Sequence, residues 1–203
     1  PSFSEAYNNL GNTQKLLNKR EEALKCFEKA ISLKENNIEA LFNLSSMYKE
    51  NNNYRDLTYI YKKILDLDKN NIKTLYNLGT SYLFLGDKLK AKNYFERVFE
   101  LDKNHFASIR NYINISKIDK NNKLFQHLKL IDLNNLTFES KVFALEALSK
   151  CYFDQDNIKL GFDYLDQMNF LKKKKSNYSF AAEKEKINKI KIFFKKKDYF
   201  NIK

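Results

Sequence analysis

Apolar residues recur along the first half of this chain with spacings of three and four positions, the pattern of amphipathic helices. Two such stripes follow each other, and the pair recurs at a constant interval, with short polar segments rich in asparagine or containing glycine between the stripes. Proline occurs once and glycine four times in 203 residues, so helix-breaking residues are almost absent. The pattern predicts an all-α chain of paired helices, with turns at 18–20, 51–53 and 86–87.

A repeat frame that begins at Ser4 brings these stripes into register. It predicts three regular units of equal length, 4–37, 38–71 and 72–105, each with a first and a second helix. The small residue of the first helix is expected to let the two helices of a unit approach closely. The equivalent residues are, unit by unit, Tyr7, Leu10, Gly11, Ala23, Phe27 and Ala30; Leu41, Leu44, Ser45, Tyr48, Leu57, Tyr61 and Ile64; and Leu75, Leu78, Gly79, Tyr82, Ala91, Phe95 and Val98.

These residues resemble the tetratricopeptide repeat, whose pattern is aromatic-x2-Leu-Gly-x2-Tyr, then Ala-x3-Phe, then a closing proline. The closing proline is replaced by Glu35, Lys69 and Lys103 in the three units. The resemblance implies a right-handed superhelix with a concave groove, in which each hairpin covers the open apolar side of its neighbour. Pro1 falls on the closing-proline position of a preceding unit, so we expect the chain to be a piece of a longer array.

After residue 105 the pattern weakens and then returns. Residues 106–141 are predicted to form a degenerate fourth unit, with a short second helix at 123–130, followed by a connector. Residues 142–175 fit a divergent fifth unit, and residues 176–203 a basic capping helix and tail. The predicted fold class is therefore an α–α superhelix of about five hairpins with a closing helix.

The net charge of +12 is concentrated near the C-terminus. Residues 172–203 hold 12 basic and 3 acidic side chains, whereas residues 1–105 hold 17 and 14, and residues 106–171 hold 8 of each. Because the body of the chain is nearly neutral, we do not expect it to bind nucleic acid along its length. An alternative function is electrostatic docking of the basic tail on nucleic acid or an anionic membrane. The lysine run 172–175 is also typical of a solvated helix end.

Residues with catalytic or metal-binding chemistry are few and scattered. Cys26 and Cys151 form no CxxC pair, and His105 and His127 supply no zinc or catalytic spacing. No glycine belongs to a glycine-rich phosphate loop. We therefore expect no enzymatic activity in this chain and no cofactor. Sparse cysteine favours a reducing compartment, the cytoplasm, and the lack of an apolar run of about 20 residues predicts a soluble protein without a transmembrane segment.

The order of elements in residues 125–203 resembles the region that joins tetratricopeptide repeats to the catalytic domain in bacterial repeat-bearing sulfotransferases. In that family a GxPRSGTT loop, which binds the phosphosulfate donor, would follow. The resemblance implies that this chain is the recruiting arm of a larger protein. The residues that carry it are Ala144, Leu148, Ser149, Lys150, Tyr152, Tyr164, Leu165, Asn169, Lys172, Lys173, Lys174, Lys175, Tyr178, Phe193, Phe194, Tyr199 and Phe200.

The resemblance to tetratricopeptide repeats implies that positions 2, 5, 6, 9 and 12 of each first helix line the groove. Position 6 is asparagine in four successive units, at Asn9, Asn43, Asn77 and Asn111, and we call these four residues the asparagine row. Each amide carries a donor and an acceptor, so the row could hold the backbone of an extended peptide. The repeat arm of the nucleocytoplasmic O-linked N-acetylglucosamine transferase has a similar row. The alternative is that these asparagines bond neighbouring helices.

Further candidate groove residues lie beside the row. Phe42 and Tyr76 are expected to be exposed aromatic side chains, since their helices already have a complete apolar stripe. A clamp for a C-terminal carboxylate is not favoured, because Asn8 and Asn77 replace its Lys and Arg. A protein or peptide is thus the predicted partner, while its identity and the oligomeric state stay open. The residues beside the row are Asn8, Asn12, Phe42, Ser46, Lys73, Tyr76, Thr80, Arg110 and Asn114.

Overall fold

The structure, a computed structural model, describes residues 2–175. In this part of the chain it contains ten α-helices, one 3₁₀ turn at Leu133–Asn135 and no strand, which confirms the predicted fold class. The predicted basic capping helix and tail, residues 176–203, lie outside the described residues. The helices are α1 (Phe3–Leu16), α2 (Arg20–Leu33), α3 (Ile38–Glu50), α4 (Tyr54–Leu67), α5 (Ile72–Phe84), α6 (Lys88–Leu101), α7 (Phe106–Asn114), α8 (Lys123–Leu130), α9 (Phe138–Asp154) and α10 (Ile158–Lys175).

The turn inside each well-formed hairpin contains one residue in the left-handed region. Asn18, Asn52 and Asp156 have φ values of 60°, 55° and 60°, and Gly86 has a φ of 80°. Glycine, asparagine and aspartate adopt this conformation at the lowest cost. Asn18, Asn52 and Gly86 occupy the same position of the repeat frame, so turn chemistry and the apolar pattern end the first helices at the same place.

The turns between hairpins work without the closing proline. The second helices α2, α4 and α6 end in an extended residue, and a capping side chain starts the next helix three residues later. Asn37 accepts from the backbone N–H of Ala40 at 3.1 Å, and Asn71 from that of Thr74 at 3.0 Å. His105 Nδ1 accepts from Ser108 at 3.2 Å. These N-caps supply the stop signal that proline gives elsewhere.

Close contact inside the hairpins rests on glycine. A Cβ on Gly11 would lie 2.6 Å from the ring of Phe27, and a Cβ on Gly79 would lie 2.5 Å from the ring of Phe95. This confirms that the small residue of the first helix lets the second helix approach. In the hairpin of α9 and α10 the roles are reversed, because Gly161 of the second helix receives a ring from the first.

The fourth unit departs from the hairpin pattern. Helix α9 packs against both α7 and α8, so it takes over part of the surface that a full-length second helix would cover. The backbone N–H of Ile118 donates to Asp154 of α9 at 3.0 Å and ties the connection after α7 to this helix. One apolar core runs from Ala23 to Cys151 across this junction, so the stack is continuous. Within residues 2–175, no helix has the length and apolar content needed to cross a bilayer.

Candidate functional site

The asparagine row occupies equivalent positions on α1, α3, α5 and α7, but its four members have different surroundings. Asn9 is exposed, and Asn43, Asn77 and Asn111 are half-buried. Within residues 2–175 the side-chain amides of Asn9 and Asn77 have no hydrogen-bond partner. Asn111 Oδ1 accepts a hydrogen bond of 3.2 Å from its neighbour Arg110. Two amides of the row are therefore available to a ligand.

Asn43 is different because it bonds the preceding helix. Its Nδ2 donates to Oδ1 of Asn8 at 2.8 Å, which links α3 to α1. Asn8 is only 2% exposed. The prediction that Asn8 contacts a ligand in the groove is therefore corrected, since the adjacent helix covers it. For Asn43 and Asn8, the structure therefore shows the alternative role, a hydrogen bond between neighbouring helices.

Phe42 and Tyr76 are half-buried, so the expectation of exposed aromatic side chains is wrong. The ammonium group of Lys73 lies 4.7 Å from the ring centroid of Phe42 and covers it. Tyr76 packs against Phe95 and His105, with centroid distances of 5.9 and 4.9 Å. Phe42 is thus covered by a side chain of the next first helix, and Tyr76 by the second helix of its own unit and the N-cap of α7. A pattern considered one helix at a time includes neither contact.

Arg110 is held in place by the following first helix, α9. Its guanidinium lies 4.4 Å from the ring of Phe143 and 3.8 Å from the carboxylate of Glu146. The arrangement mirrors Lys73 on Phe42, with cation and ring exchanged between the two helices. Sequence reasoning missed this contact, although Phe143 falls on position 2 of the fifth unit, the equivalent of Lys73.

Charged groups at the end of α1 and α3 neutralise each other. Lys15 lies 2.8 Å from Glu50 and also donates to Ser46 at 2.8 Å. Arg20 lies 3.3 Å from the same carboxylate. The hydrogen bond from Lys15 is the main reason that the pKa of Glu50 lies below its ordinary value, with the charges of both cations adding to it. Arg110 and Glu146 form a second pair of charges, beside Asn111 at the other end of the asparagine row.

The remaining predicted residues lie on the same helices as the row. Asn12 and Thr80 are half-buried, and Asn114 is exposed at the end of α7. The hydroxyl of Thr80 donates to the backbone carbonyl of Asn77 at 2.8 Å. The side chains of Asn12 and Asn114 have no hydrogen-bond partner among the described residues. They extend the set of available amides at the ends of α1 and α7.

The cysteines lie apart from this surface. Both are free thiols, and Cys151 is buried. Burial raises the pKa of the Cys151 thiol to about 12, with the nearby carboxylate of Asp154 adding to the effect. A thiol with this pKa is not a nucleophile near neutral pH. Within the described part of the chain, no group of three His, Cys, Asp or Glu side chains is arranged to bind a metal ion.

Family models of the tetratricopeptide repeat match residues 4–37 and 72–105, the first and third units of the repeat frame. These two segments are tetratricopeptide repeats. No curated protein sequence matches the chain. The stack of helices is nevertheless similar to many solved structures of helical repeat proteins.

Three solved structures illustrate this similarity of fold. The crystal structure of MamA is 16% identical, with 83% of this chain and 97% of MamA covered and a TM-score of 0.64. YrrB, described as a TPR protein with an unusual peptide-binding site, is 20% identical, with 84% and 92% covered and a TM-score of 0.62. The first repeat domain of Spaghetti (RPAP3), solved with an HSP90 peptide, is 23% identical, with 57% and 91% covered and a TM-score of 0.51.

Proposed function

We propose that this chain is a protein-binding scaffold whose asparagine row holds an extended segment of a partner protein. The observation that carries the proposal is the pair of unpartnered amides of Asn9 and Asn77, two repeats apart on equivalent helical positions. An amide offers one donor group and one acceptor, the same pair that each peptide unit of an extended segment offers. A row of such amides binds a backbone without selecting particular side chains.

Charged side chains near the asparagine row are paired with each other, which suits a ligand that needs no particular charge. Lys15 is paired with Glu50, and Arg110 with Glu146, while Lys73 covers the ring of Phe42. Because a carboxylate already pairs with each of them, Lys15 and Arg110 are less available for a partner's carboxylate. Binding should therefore depend weakly on ionic strength, since salt screens mainly interactions between free charges.

The shared fold also supports a peptide as the class of ligand. YrrB is described with a peptide-binding site, and the first repeat domain of Spaghetti was solved with a peptide bound. Helical repeat stacks present long concave surfaces that suit extended partners. The residues that bind in those proteins are not carried over to this chain, because the proposal rests on its own asparagine row.

We further propose that the chain recruits a partner for a larger protein, and that this protein is a sulfotransferase. The support is the order of elements in residues 125–203, of which residues 176–203 lie outside the described part. Reading the coding sequence downstream of Lys203 tests this directly. A GxPRSGTT-type loop within the next segment is the expected result, and a continuous array of further repeats would contradict it.

Selection of short random peptides on the full chain tests the binding function itself. A selected peptide would then be titrated into isotope-labelled protein while the side-chain amide resonances of the asparagines are followed by NMR. We expect saturable shifts at Asn9 and Asn77, with smaller shifts at Asn93 on the second helix α6. Failure to select any peptide, or shifts confined to second helices, would contradict the proposal.

A further inference from the structure

A second cleft lies away from the asparagine row, between the second helices α2 and α4. Its volume is about 430 Å³, within the range of ordinary ligand sites, and its lining includes the rings of Tyr48 and Tyr59. Glu28 of α2, Glu35 just after α2 and Asp56 of α4 contribute carboxylates, and Lys63 contributes the ammonium group. The cleft thus combines aromatic surface with an excess of negative charge, on a chain whose net charge is positive.

The two carboxylates act on the hydroxyl of Tyr48 from the two helices. Burial is the main cause that raises the pKa of Tyr48, and the charges of Glu28 and Asp56 raise it further. Within residues 2–175 Glu28 has no ion-pair partner, and Asp56 accepts a hydrogen bond of 2.7 Å from Asn53. The ammonium group of Lys63 lies 5.0 Å from the ring of Tyr59, so the cation of the cleft is engaged with the other tyrosine.

The equivalent surface of the next repeat shows which groups cover a tyrosine at this position. Tyr82 of α5 occupies the position of Tyr48 in the next unit of the repeat frame. The ammonium groups of Lys62 and Lys90 lie 6.0 and 5.2 Å from the centroid of the Tyr82 ring. Tyr94 of α6 stacks on the same ring at 5.6 Å with an interplanar angle of 5°. Two cations and one aromatic ring therefore cover Tyr82 from within the chain.

Around Tyr48 each of these three covering groups is replaced. In the repeat frame Glu28 stands where the next repeat has Lys62, and Asp56 stands where it has Lys90. Ile60 stands in place of the stacking tyrosine. The ring of Tyr48 therefore lacks both lysines, and carboxylates that attract a cation take their place. The stacked pair recurs at Tyr152 and Tyr164, at a centroid distance of 5.4 Å.

We propose that the cleft between α2 and α4 binds an arginine side chain of a partner protein. A planar guanidinium stacks on a tyrosine ring and can bond carboxylates on both sides, whereas a lysine ammonium offers only a point charge. The chain does not supply this group from its basic C-terminal segment, because residues 172–203 contain lysine but no arginine. The site is separate from the asparagine row and does not depend on the proposed peptide binding there.

The test uses the full chain with its tyrosine rings isotope-labelled, and a capped pentapeptide Gly-Ser-Arg-Ser-Gly as the probe. Matched peptides carry lysine or the uncharged isostere citrulline in place of arginine. We expect the arginine peptide to shift the ring resonances of Tyr48 and Tyr59 saturably while those of Tyr82 stay in place. Citrulline should bind about tenfold more weakly or worse, because it lacks the charge that strengthens the hydrogen bonds.

Two variants separate this site from general attraction between charges. Glu28→Gln/Asp56→Asn removes the two carboxylates that act on Tyr48, with little change in shape, and leaves Glu35 in place. Glu28→Lys installs the cation of the next repeat. Each of these two variants should abolish the shifts. The control Asp163→Asn/Asp166→Asn removes two exposed carboxylates of α10, which do not line the cleft, and should leave the shifts unchanged. Melting temperatures establish that each variant is folded. Equal binding of the citrulline or lysine peptide, equal shifts at Tyr82, or an equal loss in the control would overturn the proposal.

Discussion

Asn43 donates a hydrogen bond of 2.8 Å to the buried side chain of Asn8, and this bond joins the first helices of two neighbouring repeats. One repeat later, Asn77 occupies the position of Asn43, but the residue that replaces Asn8 is Phe42, whose ring offers no amide acceptor. Two asparagines at the same position of the repeat therefore have different roles. Asn43 links two helices of the stack, whereas the amide of Asn77 has no hydrogen-bond partner within residues 2–175 and is proposed to bind a ligand.

Substitution of these two asparagines should separate the roles. We expect Asn43→Ala to lower the free energy of unfolding by about 1–3 kcal/mol, because it leaves the buried amide of Asn8 without its partner. Asn77→Ala should change it by less than about 0.5 kcal/mol, because the side chain of Asn77 has no hydrogen bond to lose. Urea denaturation of the two variants and the wild type measures the difference. Equal losses of unfolding free energy in both variants would contradict the different roles of Asn43 and Asn77.

The contact between Gly79 and Phe95 predicts a steric cost for any side chain at position 79. In Gly79→Ala the new Cβ would start 2.5 Å from Cε1 of a fully buried ring, so we expect a loss of about 1–3 kcal/mol. Adding Phe95→Leu should relieve part of this clash. Thermal denaturation of both single variants and the double variant then gives the coupling energy. Strict additivity of the two losses would contradict the clash.

The ion pairs of Glu50 predict a dependence of stability on pH. Its pKa is lower in the folded chain than its ordinary value of 4.5, so its contribution is complete above that value and is lost as the pH falls through the folded pKa. The pair is about one-third exposed, so we expect a contribution below about 1 kcal/mol. Glu50→Gln should be less stable than the wild type at neutral pH, with the difference shrinking below pH 4.5. A difference that stays constant with pH would exclude the ion pair as its cause.

Much of the fold could be predicted from the sequence because repeat spacing, turn residues and small residues agree with one another. Gly79 is an example, since its place in the repeat predicted a close approach of the two helices, and the structure shows that Phe95 makes this approach. The reversed pair of Gly161 and Phe153 could not be predicted in this way, because the fifth unit exchanges the two roles between its helices.

The candidate site was less predictable because it depends on which residues meet across neighbouring repeats. Phe42 looked exposed when its helix was considered alone, but Lys73 of the next first helix covers its ring. In the same way, the shared identity of Asn43 and Asn77 did not indicate that, among the described residues, only Asn43 bonds a neighbouring helix through its side chain. The residue pattern within one repeat predicts which side chains each helix carries. Which of these side chains contact those of the next repeat is known only from the structure.

The proposed function requires that Asn9 and Asn77 bind the backbone of a partner segment. The direct measurement is calorimetric binding of a selected peptide to the wild type and to Asn9→Ala/Asn77→Ala. Asn93→Ala/Asn169→Ala, which alters two exposed asparagines on second helices, serves as the matched control. Each hydrogen bond contributes about 0.5–1.5 kcal/mol. We therefore predict that the first variant binds the peptide with a Kd roughly five- to hundredfold higher. Its melting temperature should be unchanged. An affinity equal to that of the wild type and of the control would contradict the proposed function.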